Sequence, residues 1–213
     1  MSGIMLNLAG GSFAPSVPTI IGQAFGGGFY AGQISTAGNS IADYYLIVGP
    51  IASAQSTLAW KTSSTGGDPT SVIDGPTNSA TMNSATYPAA QFCEGLTIGG
   101  QTDWYMPAKN ELEVCYYNLK PSITSNNTNS GTNTNAVPSR GSNYTVGTPA
   151  QTSAADFVTI TGAEAFANGG YYWASTQRPV TSRGWVQDFS GGYQYGYVKS
   201  NAAFVRAVRR IAV

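Results

Sequence analysis

The chain has 213 residues, of which only 9% are charged, and its ten basic and ten acidic residues leave no formal net charge at pH 7. This balance provides no basic stripe to neutralise phosphates, so we expect no binding to nucleic acid. There is no histidine, which excludes a Ser-His or Cys-His nucleophile and a His-ligated zinc site. Hydrophobic residues make up 42% of the chain, which excludes a wholly disordered chain. The length suffices for one well-cored domain with an appendage or for two very small domains.

The first residues are apolar and interrupted by Gly and Pro, without a helical period. We interpret residues 1–27 as an extended N-terminal docking arm and residues 28–213 as the folded domain. No Lys or Arg precedes the short apolar run at the start, so we predict no secretory signal and synthesis in a cytoplasm. No apolar stretch approaches the roughly 20 residues of a membrane span, so we expect no membrane insertion.

A buried strand and two helices are predicted next. The apolar run at 43–50 is bounded by turn residues and indicates a strand, whereas residues 53–78 are polar and contain turn pairs. One helix begins at Pro88, and a second begins near Pro107 and stops at Lys120-Pro121. The second helix has the clearest periodicity, carried by Leu112, Cys115, Tyr116 and Leu119.

The remainder predicts a loop followed by strands. Residues 124–135 are all Ser, Thr, Asn or Gly, and we expect them to form a surface loop or lid that is too polar to pack, within a polar loop at about 122–155. A strand at 169–176, a hairpin over 184–199 and one C-terminal strand at 202–213 follow. This order predicts an α+β fold with its helices grouped on one side of antiparallel strands.

The charged residues and cysteines favour structural roles over catalysis. Cys93 and Cys115 fall in predicted helices, where we expect unpaired buried thiols. Asp68 and Asp74 lie in a turn-rich loop, where capping of turns is favoured over a calcium site. Asp188, like Asp103, is expected to satisfy backbone donors or an arginine. We therefore predict no enzyme activity, no metal and no cofactor.

Three arginines lie close together near the C-terminus, at 206, 209 and 210. In a neutral protein such a group is more often structural than an anion-binding patch. We expect at least one of them to pair with an acid such as Glu111 or Asp103.

Three tyrosines alternate along the second strand of the hairpin. Tyr193, Tyr195 and Tyr197 fall on one face, and Gly196 falls on the other. The tyrosine face has three possible roles, namely core packing, a ligand platform or a contact with another subunit. We expect Tyr193, beside the turn, to be the most exposed and Tyr197 the most buried.

Four ordered segments resemble the Lcl C-terminal domain family. They are TDWYMPAKNEL (102–112), GGYYWASTQ (169–177), GWVQDFSGGYQY (184–195) and FVRAVRR (204–210). The resemblance is loose over 28–213 and close over 98–213, and it implies a C-type-lectin-like domain with two helices packed on antiparallel strands. The calcium-binding triplets of C-type lectins are missing, as is the late cysteine pair of the sulfatase-activating relatives. Neither of those chemistries is expected here.

The resemblance also implies a binding surface. Members occur in bacterial surface adhesins and tailed-phage virion proteins, and related receptor binders form the ligand face around the tryptophan segment and the following hairpin. The matching positions here are Tyr171, Tyr172, Trp173, Ser175, Thr176, Gln177, Arg178, Trp185, Tyr193 and Tyr195.

These observations lead to a functional expectation. We expect a phage virion structural protein, a tail-fibre or receptor-binding component that recognises a host surface glycan or protein. The alternative is a capsid decoration or head-fibre protein with a mainly structural role. Expected partners are other virion proteins, contacted through the arm, and further copies of the chain in a homo-oligomer such as a trimer. The expected location is the virion, after synthesis in the host cytoplasm.

Overall fold

A computed structural model describes residues 17–213, and within them ten strands form two sheets beside four α-helices. The first sheet contains β1 (Ala24–Phe25), β2 (Gly28–Ile34), β3 (Tyr44–Val48), β5 (Ala136–Val137) and β10 (Val208–Ala212). The second contains β4 (Gln55–Ala59), β6 (Tyr171–Gln177), β7 (Arg183–Asp188), β8 (Gln194–Val198) and β9 (Ala202–Arg206). The helices are α1 (Ile51–Ala54), α2 (Gly75–Thr81), α3 (Pro88–Glu94) and α4 (Lys109–Leu119), and a 3-10 turn spans Ala155–Phe157. The predicted mixture of helices and strands is confirmed.

Strand pairing is antiparallel with one exception. The first sheet has the order β1-β2-β3-β10, with β5 also paired to β2, and the second has the order β4-β9-β6-β7-β8. Strands β6 and β9 run parallel, with Tyr172 beside Phe204. The predicted hairpin is formed by β7 and β8, in register from Arg183 and Val198 to Gln187 and Gln194.

The C-terminal segment belongs to both sheets, which corrects the prediction of a single strand. Strand β9 ends at Arg206 in the second sheet, and β10 begins at Val208 in the first. Between them, the Ala207 amide donates to the Ala54 carbonyl at 2.9 Å, and the Gly49 amide donates to the Ala207 carbonyl at 2.9 Å. Because Ala207 bonds to the ends of α1 and β3, the chain leaves one sheet there and enters the other.

The three C-terminal arginines anchor this segment, as predicted. Each pairs with an acid from a different part of the chain: Arg206 with Glu164, Arg209 with Asp103 and Arg210 with Glu111. The guanidinium of Arg209 contacts both carboxylate oxygens of Asp103, at 2.7 and 2.9 Å, which is the bidentate geometry that makes arginine pairs strong. The crossover between the sheets is therefore held at three points.

Helix α4 lies between the two sheets, and this differs from the predicted placement of the helices on one side. It packs against β2 and β5 of the first sheet and against β6 and β7 of the second. Its first turn is capped by Glu111, whose carboxylate accepts the Ala108 amide at 2.8 Å and the Tyr105 hydroxyl at 2.5 Å. Ala108 has no capping side chain of its own, so Glu111 satisfies a donor that would otherwise be unpaired.

The periodic apolar residues of α4 are buried, as their spacing predicts. Leu112, Cys115, Tyr116 and Leu119 all lie in the core beside β2. Helix α3 begins at Pro88 as predicted, while α4 begins at Lys109, two residues after the predicted Pro107. Cys93 and Cys115 are unpaired and buried, and burial raises the pKa of both thiols.

Two elements within the polar segment 53–78 escaped prediction. Strand β4 is short, and α2 has the polar sequence GPTNSAT, which carries no apolar period. Helix α2 is instead stabilised by polar contacts. Asn78 donates to the Ser71 carbonyl at 2.7 Å, and Asp74 accepts the Thr77 amide at 3.3 Å in the capping role predicted for it.

The Asn-rich segment 124–135 packs against the domain, so the expectation that it is too polar to pack is wrong. Asn126, Asn133 and Asn135 are buried. Their amides donate to the carbonyls of Pro149, Asn110 and Ser35, each at 2.8 Å. Asparagine side chains can replace missing backbone partners in irregular segments, which allows a polar loop to be buried.

The predicted arm, residues 1–27, falls largely outside the described residues, which begin at 17. Its last residues belong to the first sheet, because β1 pairs with the start of β2, Ala24 opposite Phe29. Ile21 also packs against both apolar cores.

The arginine anchors predict a graded loss of stability. Glu111 has no exposed side-chain surface, whereas the Asp103 side chain is 52% exposed. Replacing Glu111 with Gln leaves Arg210 without its carboxylate inside the protein, and we expect the free energy of unfolding to fall by about 3–5 kcal/mol. The matched Asp103→Asn change should cost only about 1 kcal/mol. Urea unfolding of both variants measures the difference, and equal losses would contradict the anchoring role of Glu111.

Candidate functional site

The β7–β8 hairpin presents different residues on its two faces. Trp185 on β7 lies directly opposite Gly196 on β8. Tyr195 and Tyr197 flank Gly196 in sequence, so their side chains point to the other face. The packing agrees, because Trp185 contacts the core around α4 whereas Tyr195 and Tyr197 contact the core that contains Trp60 and Trp173.

Four tyrosines form one continuous cluster, which we call the tyrosine surface: Tyr171, Tyr193, Tyr195 and Tyr197. The rings of Tyr193 and Tyr195 are stacked, with centroids 5.3 Å apart and planes 11° apart. Tyr171 meets Tyr195 edge-on at 5.3 Å and lies 5.9 Å from Tyr197. Burial, followed by a hydrogen bond with Tyr171, raises the pKa of Tyr195, so the hydroxyl of Tyr195 stays protonated at neutral pH.

Exposure differs along the tyrosine surface. Tyr171 and Tyr193 are each 41% exposed, and the expected exposure of Tyr193 beside the turn is confirmed. Tyr197 is half-buried, like Tyr195, and is not the buried member that was predicted. Trp173 is buried and lies 5.6 Å from Tyr197, so a rigid ring supports the surface from within.

The opposite face carries a groove centred on Trp185. A cavity of about 360 Å³ has Val72, Pro179 and Trp185 as apolar lining, with Lys109 and Arg178 beside them. The Lys109 ammonium nitrogen is 5.0 Å from the Trp185 ring centroid, and the central guanidinium carbon of Arg178 is 4.3 Å from it. These are cation–π distances.

A smaller cavity of about 150 Å³ continues this groove. It shares Lys109 and Trp185 with the first cavity and adds polar side chains. The added lining includes Ser130, Thr132, Asn143 and Gln194. We call the two cavities together the tryptophan groove. One end is apolar and carries both cations, and the other end is polar and shares only Lys109 and Trp185 with the first.

The middle of β6 supports these surfaces from inside the protein. Five of the ten residues expected at a binding face are buried, namely Tyr172, Trp173, Ser175, Thr176 and Gln177. They lie on a strand with neighbours on both sides, which places most of their surface in the core. Their hydrogen bonds indicate positioning roles, whereas Tyr171, Arg178, Trp185, Tyr193 and Tyr195 keep accessible surface.

Thr176 sets the position of Lys109. Its hydroxyl oxygen accepts the Lys109 amide at 3.0 Å and donates its proton to the Ser71 carbonyl at 2.8 Å. The amide of the first residue of α4 has no partner within the helix, so Thr176 fixes the helix start. Lys109 is then directed into the tryptophan groove. Sequence reasoning missed this lysine, because its position in the MPAKNEL segment indicates a helix start and nothing more.

Gln177 is joined to a buried charge cluster. Its side-chain oxygen accepts the Lys199 ammonium at 2.7 Å, and Lys199 and Lys61 both pair with Asp68. Burial opposes ionisation of Asp68, but hydrogen bonds from Lys199, Lys61 and Tyr87 outweigh it and hold the pKa below its usual value. The expected turn-capping role of Asp68 is therefore wrong, since this carboxylate anchors the end of the hairpin.

The expected roles of the two aspartates near aromatic residues are confirmed. Asp188 accepts the Ser190 amide and hydroxyl, each at 2.8 Å, and Asp103 holds Arg209. Among residues 17–213, no group of three or more Asp, Glu or Cys side chains is placed to hold a metal ion. No helix in this part of the chain has the length and apolar character to cross a membrane.

Comparison with known families identifies the chain. The model of the Lcl C-terminal domain matches residues 50–209. The chain belongs to the Lcl C-terminal domain family. A search of curated proteins finds no match. In this member of the family, the matched region contains the hairpin, both of its faces and α4.

The charges around the tryptophan groove predict that Lys109 destabilises the folded state of this Lcl C-terminal domain. Burial lowers the pKa of Lys109; attraction from Glu113 offsets part of that effect, and weaker repulsion from Arg178 adds to it. We expect Lys109→Met to raise the melting temperature by about 2 °C, because removing the charge removes both penalties. The matched change is Lys120→Met at the other end of α4, where the ammonium donates to the Thr124 and Pro149 carbonyls at 2.6 and 3.2 Å. That variant should melt at a lower temperature, and the same direction of change in both would refute this account of Lys109.

Proposed function

We propose that this chain is a binding component of a phage virion, in a tail fibre or another receptor-binding assembly, which recognises a host surface glycan or protein. The finer assignment of the domain as C-type-lectin-like is part of the same proposal. The placement in a virion is supported by the ordered family segments, since members with this pattern occur in tailed-phage proteins. We also propose that the N-terminal arm contacts other virion proteins and that the chain forms a homo-oligomer.

The tyrosine surface is the observation that carries this proposal. Tyrosine offers a large ring and a hydroxyl while losing little side-chain entropy on binding, which is why antibody paratopes are rich in it. Here the rings contact one another and Tyr197 lies against the buried Trp173, so binding would order them very little further. Tyr171 and Tyr193 are large, partly apolar side chains that remain exposed on either side of Tyr195, whose ring contacts both. Such clusters on a protein surface commonly mark interaction sites.

Tyr193 provides the test of this function. We expect Tyr193→Ala to weaken binding to host cells at least tenfold, since aromatic anchors dominate binding energies. The melting temperature should fall by less than about 4 °C, equivalent to about 1 kcal/mol. The loss is small because the Tyr193 ring is exposed and stacks on Tyr195 with one face. Binding is measured with fluorescently labelled protein on a panel of bacterial cells and on a glycan array, together with competition against phage adsorption.

The control variant is Ile123→Ala, a change at a side chain that is 87% exposed and outside the tyrosine surface. It should bind as the unmodified protein does. If the unmodified protein binds neither cells nor glycans and does not block adsorption, host recognition is wrong. A large loss of thermal stability in Tyr193→Ala would show instead that the tyrosine surface is a packing feature.

A further inference from the structure

Two positive side chains in the tryptophan groove differ from all the other cations of the protein. All ten Lys and Arg residues lie within the described residues. Six of them pair with a carboxylate within 4.0 Å: Lys61, Arg140, Lys199, Arg206, Arg209 and Arg210. Lys120 and Arg183 instead donate to backbone carbonyls. Within residues 17–213, only the side chains of Lys109 and Arg178 have neither a carboxylate within 4.0 Å nor a hydrogen-bond acceptor, and the nearest attraction on Lys109 comes from Glu113 beyond that distance.

These two cations are held beside each other. Both lie against the Trp185 ring, at 5.0 and 4.3 Å from its centroid. The Nε atom of Arg178 is buried without an acceptor from any described residue. A buried donor without a partner is unfavourable, and folded proteins normally avoid it. Arg178 also repels Lys109, whose cationic form is disfavoured by burial and by this repulsion while Glu113 attracts it. An anion between Lys109 and Arg178 would relieve both penalties.

The lining of the groove restricts which ligand can carry that anionic group. Beside the cations, Val72, Pro179 and Trp185 supply apolar surface, which a bare inorganic ion would not use. Beyond Trp185, the lining of the smaller cavity consists mainly of hydroxyl and amide groups, including those of Thr132, Asn143 and Gln194. A fitting ligand is therefore anionic at one end, has an apolar face in the middle and carries hydrogen-bonding groups at the other end.

We propose that the tryptophan groove binds a saccharide residue that carries a carboxylate, such as a hexuronic acid. The carboxylate would lie on Lys109 and Arg178, since the planar guanidinium fork matches its two oxygens. The C–H face of the sugar ring would pack on Trp185, and its hydroxyls would face the polar end of the groove. This site goes beyond the tyrosine surface, because it lies on the opposite face of the hairpin and selects a charged ligand.

Titration with glucuronate tests the proposal, using the full chain and tryptophan fluorescence as the signal. We expect a saturable change with glucuronate and none with glucose, which has the same ring without the carboxylate. Lys109→Met and Arg178→Gln should each weaken glucuronate binding at least tenfold. The control is Ile123→Ala, a change at an exposed side chain outside the groove lining, which should bind normally. Thermal melts establish that each variant is folded, and if Arg178→Gln does not fold, Lys109→Met decides the question.

Several outcomes would overturn the assignment. No saturable response to glucuronate would remove the site, and equal binding of glucose would remove the role of the cations. Equal affinity for glucose 6-sulfate would show an unselective anion site and refute carboxylate recognition. The Tyr193→Ala variant should keep full glucuronate affinity, so failure of this inference and failure of the cell-binding proposal can be told apart.

Discussion

The passage of the C-terminal segment from one sheet to the other is the constraint on which the rest of the structure depends. Strand β9 lies between β4 and β6, so it joins the hairpin sheet to the remainder of the domain. Strand β10 closes the first sheet against β3. Arg210 meets Glu111 in the first turn of α4, which ties the crossover to the start of the helix that carries Lys109. Both candidate surfaces therefore take their positions from the same eleven-residue segment, Ala202–Ala212.

The alternation of the hairpin explains its unusual sequence. On one face, tyrosines at alternate positions form a continuous layer of rings. On the other, a Cβ atom at Gly196 would collide with the Arg178 side chain and displace it. The missing side chain leaves room for Arg178 to lie over Trp185, opposite Gly196 in register. A glycine that weakens a strand in isolation is thus explained by close packing of a cation and an aromatic ring.

The sequence predicted those helices, strands and turns whose formation depends on residues close together in the chain. The periodicity of α4, the run of β3, and the turn between β7 and β8 each act within a few residues, and each was located correctly. Helix α2 and the packed Asn-rich segment depend on hydrogen bonds to distant residues, so their sequences look like loops. The sheet change at Ala207 leaves no local signal in a β-branched run. The same holds for the candidate site. Alternation of residues in the hairpin identified the tyrosine surface, whereas Lys109 was missed because only the tertiary structure brings it to Trp185.

Buried charges elsewhere in the protein are paired, which sets the two unpaired cations of the tryptophan groove apart. Asp68 is buried with two lysines around it, and Glu113 is buried with Arg140 and Tyr144. The fold therefore places partners beside charges wherever it removes them from water. Lys109 and Arg178 are also positioned by specific contacts. Thr176 accepts the backbone amide of Lys109, and Arg178 occupies the space that Gly196 leaves free. Neither side chain has a carboxylate within 4.0 Å or a hydrogen-bond acceptor among the described residues. Positions that are rigid but electrostatically unfavourable are characteristic of binding sites, because the missing interaction is supplied by the ligand.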